Sequence, residues 1–113
     1  MSNEIVKTIS GHVYYLARIG LLPGSTLHVS LLDVTLADVP AKELAVHVTS
    51  DASVAGLRFD LTYKLADVLP GHTYVISARI TDNDQLIFVS KEQHQVVLGV
   101  DYVKGQEVLV DLV

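Results

Sequence analysis

The stretch Leu57-Arg58-Phe59-Asp60-Leu61-Thr62-Tyr63-Lys64 exchanges apolar for polar residues at every step. A β-strand puts Leu57, Phe59, Leu61 and Tyr63 on one face and leaves Arg58, Asp60, Thr62 and Lys64 in water. A helix would spread the same residues around its circumference. The segment therefore reads as a half-buried strand.

Other segments repeat the pattern with more noise. Residues 5–17 are rich in Val, Ile and Tyr, and residues 26–34 place Leu27, Val29 and Leu31 on one side. Leu44, Val46 and Val48 oppose Ala45, His47 and Thr49, while Tyr74, Ile76, Ala78 and Ile80 alternate with Val75, Ser77, Arg79 and Thr81. Residues 86–90 and 107–113 complete the set, with a short further piece at 96–100. Turn chemistry falls between these runs. Pro23-Gly24-Ser25 and Pro70-Gly71 are turns, Asp82-Asn83-Asp84 is a hairpin tip, and Lys104-Gly105-Gln106 is expected to turn into the last strand. Residues 37–42 read as a loop or a single helical turn, and 65–69 as one short turn.

About seven short strands with frequent turns, and no room for helices between them, predict an all-β antiparallel sandwich with at most short helical turns. One domain over residues 1–113 accounts for the whole chain. Its expected core is Val13, Tyr15, Val29, Leu31, Val46, Leu57, Phe59, Leu61, Tyr74, Ile76, Ile80 and Phe88. Half the residues are hydrophobic, so such a core needs no disulfide, and the chain has no Cys to supply one.

The net charge of −5 and the dispersal of the eight basic residues exclude nucleic acid as a partner. No apolar run approaches the ~20 residues that span a bilayer. Met1-Ser2-Asn3-Glu4 offers no basic region followed by an apolar one, so no secretory signal is read there. Two readings stay open: a cytoplasmic protein, or a mature fragment given a new initiator Met. Nothing in the composition sets the oligomeric state.

Catalytic and metal chemistry find little support. None of the five histidines stands two residues from another or belongs to an H-x-x-x-H pattern, so neither metal nor cofactor is expected. There is no G-x-S-x-G elbow, and the glycines are too scattered for a phosphate loop. Asp82 and Asp84 bracket Asn83 in a turn, where such residues serve the backbone. No catalytic residue is assigned, and the chain reads as a non-enzyme. Arg18 and Arg79 each precede an isoleucine within or at the end of an apolar strand. They are candidate contacts for a carboxylate or an acidic peptide, with Leu16 and Val75 as apolar neighbours. The competing reading lets their stems cover apolar surface, or pairs them with Asp33, Asp38 or Asp60.

These motifs together carry a resemblance. Gly11-His12-Val13-Tyr14-Tyr15, Arg18-Ile19, Leu22-Pro23-Gly24 and the run from Leu27 through Asp33-Val34-Thr35-Leu36-Ala37-Asp38-Val39-Pro40-Ala41 resemble the first half of the YbaY/YscW-like lipoprotein family. Phe59 to Tyr63, Pro70-Gly71-His72-Thr73-Tyr74, Ala78-Arg79-Ile80 and Leu86-Ile87-Phe88 resemble its second half, with Leu22 standing where the family often has Pro. The resemblance covers about residues 9 to 92. It implies a β-sandwich exported to the periplasm and tethered by lipid to the outer membrane, through an anchor Cys that this chain lacks. It further implies either a pilotin-like chaperone for a secretin peptide or an envelope protein without a soluble ligand. An enzyme with an unrecognised site is the third alternative.

Overall fold

The computed structural model describes residues 4–99 and 102–113, with residues 102–104 described through their backbone alone. Among the described residues nine strands follow one another: β1 (Val6–Tyr14), β2 (Thr26–Asp33), β3 (Lys42–Thr49), β4 (Arg58–Lys64), β5 (Tyr74–Asp82), β6 (Gln85–Val89), β7 (His94–Val96), β8 (Tyr102–Leu109) and β9 (Asp111–Leu112). Helical structure among the described residues is one four-residue helix, α1 (Ala52–Ala55), and a 3-10 turn at Leu65–Asp67. The strands form a three-stranded sheet, β4-β1-β8, and a six-stranded one, β3-β2-β5-β6-β9, with β7 also beside β5. The all-β sandwich expected from the sequence is what the chain forms, with nine strands rather than about seven. Every pairing is antiparallel except β1 with β8, which is parallel.

β4 shows why the alternation was legible. Its residues are buried and exposed in strict turn, with Phe59, Leu61 and Tyr63 inside. Facing them across the sandwich are Leu27, Val29 and Leu31 of β2, Ile76 and Ile80 of β5, and Phe88 of β6, each at most 1% exposed. Tyr15 and Leu57, also expected inside, are half-buried and pack against this core.

Val46 corrects the expected core, because it is 53% exposed. The register explains the reversal. Val29 pairs with His47 and Leu31 with Ala45, and residues directly opposite share a face. The inward row of β3 is thus Ala45, His47 and Thr49, while Val46 and Val48 point outward; a bulge at Leu44 then shifts the ladder so that Leu32 pairs with Glu43. The expected turn at Lys104-Gly105-Gln106 also differs, because β8 runs straight through it. The chain absorbs an extra residue there as a bulge against β1, with Gly105 at φ 73°. That bulge brings the Gln106 carbonyl over Gly11, where a Cβ would collide with it. The expected piece at 96–100 ends on Val100, which lies outside the described residues; the strand observed there is His94–Val96.

Two corners join the sheets. After β8 the chain leaves the small sheet at fully buried Val110, whose N–H donates to Tyr14 O at 2.9 Å, and continues as β9 beside β6. At the other side β3 runs along β4. There His47 Nδ1 accepts from the Asp60 N–H at 3.5 Å, and its Nε2 lies 2.9 Å from Thr49 Oγ1.

Candidate functional site

An apolar cleft of about 310 Å³ opens where the 15–25 segment crosses the β5–β6 hairpin. Ile19, Leu21 and Leu22 form one wall; Ile80, Ile87 and Phe88 form the other. The hairpin is local chemistry. Asp82 pairs with Gln85, so Asn83 and Asp84 alone turn the chain, at φ 49° and 64°. Asn and Asp tolerate that left-handed region better than other side chains, and two such residues suit the twist of a tight hairpin.

The facing wall has no regular secondary structure and is held by side chains instead. Tyr15 stacks on Phe88 with ring centroids 4.5 Å apart, and its hydroxyl donates to Ile19 O at 2.7 Å. Buried Ser25 returns both its N–H and its hydroxyl to Leu22 O, at 3.1 and 2.7 Å. Ser25 O in turn accepts from Ala52 N at 2.7 Å, and Asp51 Oδ1 accepts from Gly24 N at 3.0 Å. Those bonds clamp the Pro23-Gly24 turn onto α1. The Gly24 amide, followed by the Ser53 hydroxyl, holds the Asp51 carboxyl below its ordinary range. With the turn fixed, Leu22 stays 58% exposed and Ile19 48% exposed at the rim. At about 310 Å³ the cleft stands at the lower end of the ~300–1,000 Å³ range of ligand pockets, room for a few apolar side chains of a ligand.

The opposite end of the sandwich carries a polar knot. Asp33 accepts from the backbone N–H of Thr35 at 3.0 Å and from its hydroxyl, and its other oxygen lies 2.6 Å from His72 Nδ1. Thr35 Oγ1 also accepts from Thr73 N at 2.9 Å, and Tyr74 Oη accepts from Leu69 N at 2.7 Å. The Thr35 hydroxyl first, then His72, lowers the Asp33 carboxyl from 3.8 to about 2, against an opposing contribution from its partial burial. An Asp–His pair invites a catalytic reading, but the hydroxyl beside it donates into the carboxylate and is thereby engaged as a loop tie. Among the described residues no three His, Asp or Glu side chains converge to hold a metal. His28, His47, His72 and His94 each have a polar neighbour from the chain: Thr81, Thr49, Asp33 and Gln106.

The four residues singled out as peptide contacts fall in two places. Leu16, 75% exposed, and exposed Arg18 lie in the segment that leads into the cleft wall. Arg79 is exposed on the outer face of the large sheet, across from His28. Val75 shares that face but is only 5% exposed, because residues 90–93 fold over it. Sequence reasoning missed Ile19, Leu21, Leu22 and Ile87. The available signal was the run Leu16-Ala17-Arg18-Ile19-Gly20-Leu21-Leu22, apolar without alternation and ended by Pro-Gly.

Comparison with known proteins bears on this architecture. Residues 4–108 match the family described as type III secretion system lipoprotein chaperone (YscW). The uncharacterized lipoprotein YbaY of Escherichia coli strain K12 is 36% identical over 90 residues, a match covering 79% of this chain and 47% of that protein. The chain therefore spans about half the length of that relative. A solved structure of an alternative pilotin from the type II secretion system of Vibrio cholerae superposes with a TM-score of 0.80 at 28% identity. That match covers 95% of this chain and 98% of the pilotin. With nearly all of its described residues inside the family match, this chain belongs to the YscW family of secretion lipoprotein chaperones.

Proposed function

We propose that the domain is a pilotin-like, non-enzymatic chaperone of the bacterial envelope, and that its ligand is an apolar segment of a ring-forming secretin. The observation that carries this reading is the cleft between Ile19–Leu22 and the β5–β6 hairpin, with apolar walls and half-exposed leucine and isoleucine at its rim. Burying one aliphatic side chain there is worth about 1.5–3 kcal/mol, so two or three anchors give useful affinity after the cost of ordering the segment. The family description and the likeness to a pilotin support the choice of ligand. They also support a location at the outer membrane, reached through a lipid anchor. Leu16 and Arg18 stand beside the cleft wall and are assigned as flanking contacts, Arg18 to an acidic or C-terminal carboxylate.

The test is an NMR titration of the domain with the C-terminal peptide of a secretin encoded in the same genome. Amide shifts should concentrate at residues 16–22 and 85–89, and Leu22→Ser should weaken binding about tenfold, one aliphatic anchor's worth. An unchanged spectrum at millimolar peptide would leave an envelope protein without a soluble ligand. Shifts confined to a strand edge would move the site elsewhere.

A further inference from the structure

On the β3–β4 side of the sandwich each sheet ends in an edge strand, and the two edges are protected unequally. In an antiparallel ladder successive residues send their N–H and C=O groups to opposite sides. Val13 N donates to Leu57 O, so the odd-numbered residues of β4 face β1 and the even-numbered ones face out. Arg58, Asp60, Thr62 and Lys64 occupy that outer edge, and their side chains are exposed. Charged side chains along an edge oppose pairing with a further strand. The Asp60 N–H is also taken by the His47 ring, which descends from β3.

β3 is the last strand of the large sheet, and the same alternation locates its free groups. Ser90 N donates to Ala78 O and Ala78 N donates to Ser90 Oγ, so Ala78 turns its backbone groups away from β2. Val29, opposite Ala78, then turns its own groups toward His47 of β3. Val46 and Val48, on either side of His47, therefore point their N–H and C=O groups to the open edge. Both are uncharged and 53% exposed. The bulge at Leu44 and the turn at Ser50 confine this bare edge to residues 45–49.

The bare edge is self-complementary. When His47 stands opposite His47 of a second, antiparallel copy, Val46 faces Val48 and Val48 faces Val46. Both pairs then bring outward-pointing groups together, so each pair exchanges both of its backbone bonds. The outer face gains two β-branched cross-strand pairs, and Ala45 meets Thr49 on the inner face. A slip of one residue sets groups of the wrong phase against each other. A slip of two carries Val48 onto the bulge at Leu44, or Val46 onto the turn at Ser50.

We propose that the domain forms a closed two-fold dimer through the 45–49 edge of β3, which joins the two large sheets into one. The edge is short, so the dimer is weak, with a Kd on the order of 0.1 mM. Pairing consumes this edge on both copies, and assembly stops at two. The apolar cleft lies across the sheet at the β5–β6 hairpin and stays open in both copies. The dimer is thus independent of what fills that cleft.

Sedimentation equilibrium of the intact domain, from about tenfold below that Kd to about tenfold above it, should show monomer passing into dimer. Over the same range the amides of Val46 and Val48 should gain protection from hydrogen exchange, while those of Ala45 and His47 are protected throughout. Val46→Lys combined with Val48→Lys sets like charges opposite each other and should weaken association at least about tenfold. Val46→Lys combined with Val48→Glu sets opposite charges across the same pairs and should restore it. Both double variants should keep the melting temperature of the dilute domain, and Leu22→Ser in the cleft should leave the dimer unchanged. Growth beyond a dimer, no rescue by the oppositely charged pair, or new protection at residues 16–22 or 85–89 in place of β3 overturns the proposal. A monomer at every concentration overturns it too, and leaves the edge to an extended segment of another protein.

Discussion

β2 runs from one end of the sandwich to the other, and its two termini enter contrasting environments. At Asp33 the 33–35 and 69–74 loops are tied by short directional bonds, carboxylate to hydroxyl, to imidazole and on to backbone amides. At Ser25 the neighbouring loop is held partly by one aromatic stack and by aliphatic walls that do not close completely. Hydrogen bonds saturate, and the knot spends its polar groups on itself. Apolar surface does not saturate, so the loosely covered end keeps capacity to bury more. The end at Asp33 thus spends its polar groups on the fold, and the end with the open apolar cleft is the one proposed to bind.

Substitutions can break that contrast. The largest effect is expected for Phe88→Ala, which removes the stacking partner of Tyr15 and one cleft wall. It should cost ~3–5 kcal/mol in urea unfolding, and a loss below about 1 kcal/mol would mean packing does not hold the cleft end. At the knot, Tyr74→Phe deletes the acceptor for the Leu69 N–H and should cost about 1 kcal/mol; no loss would show that water replaces it.

A pH series separates the ends further. Asp33 has a depressed carboxyl, so its contribution to stability is complete above the unfolded value of 3.8 and disappears as pH falls through about 2. Unfolding free energy measured between those values should decline, and Asp33→Asn should flatten that decline while leaving Phe88 variants on the original slope. The smallest effect is expected for Val46→Thr, within ~0.5 kcal/mol, because the side chain stands in water. A larger loss would return Val46 to the core and overturn the register of β3.

Much of this was legible residue by residue. The alternation of β4, the inward rows of β2 and β5 and the Asn83-Asp84 turn all depend on local covalent geometry. A strand turns successive side chains to opposite faces, and a two-residue hairpin demands positive φ, whatever surrounds them. What local pattern cannot carry is which of two faces meets the core when both are apolar enough. Val46-His47-Val48 offered an apolar row, yet pairing with Val29 and Leu31 turned the His47 row inward.

The same limit explains the candidate sites. Val75 looked available on a solvent face until residues 90–93 folded over it, and Gly11 acquired its purpose only when Gln106 arrived from the far end of the chain. Ile19, Leu21 and Leu22 are an unremarkable apolar run until Ile87 and Phe88 come to face them. By itself the sequence determined most of the strands and most of the core, since periodicity is a short-range property of the backbone. Tertiary structure alone decided the parallel β1–β8 pair, the reversed face of β3 and the cleft. Each of those depends on close packing and register between residues remote along the chain, which no window of neighbours contains.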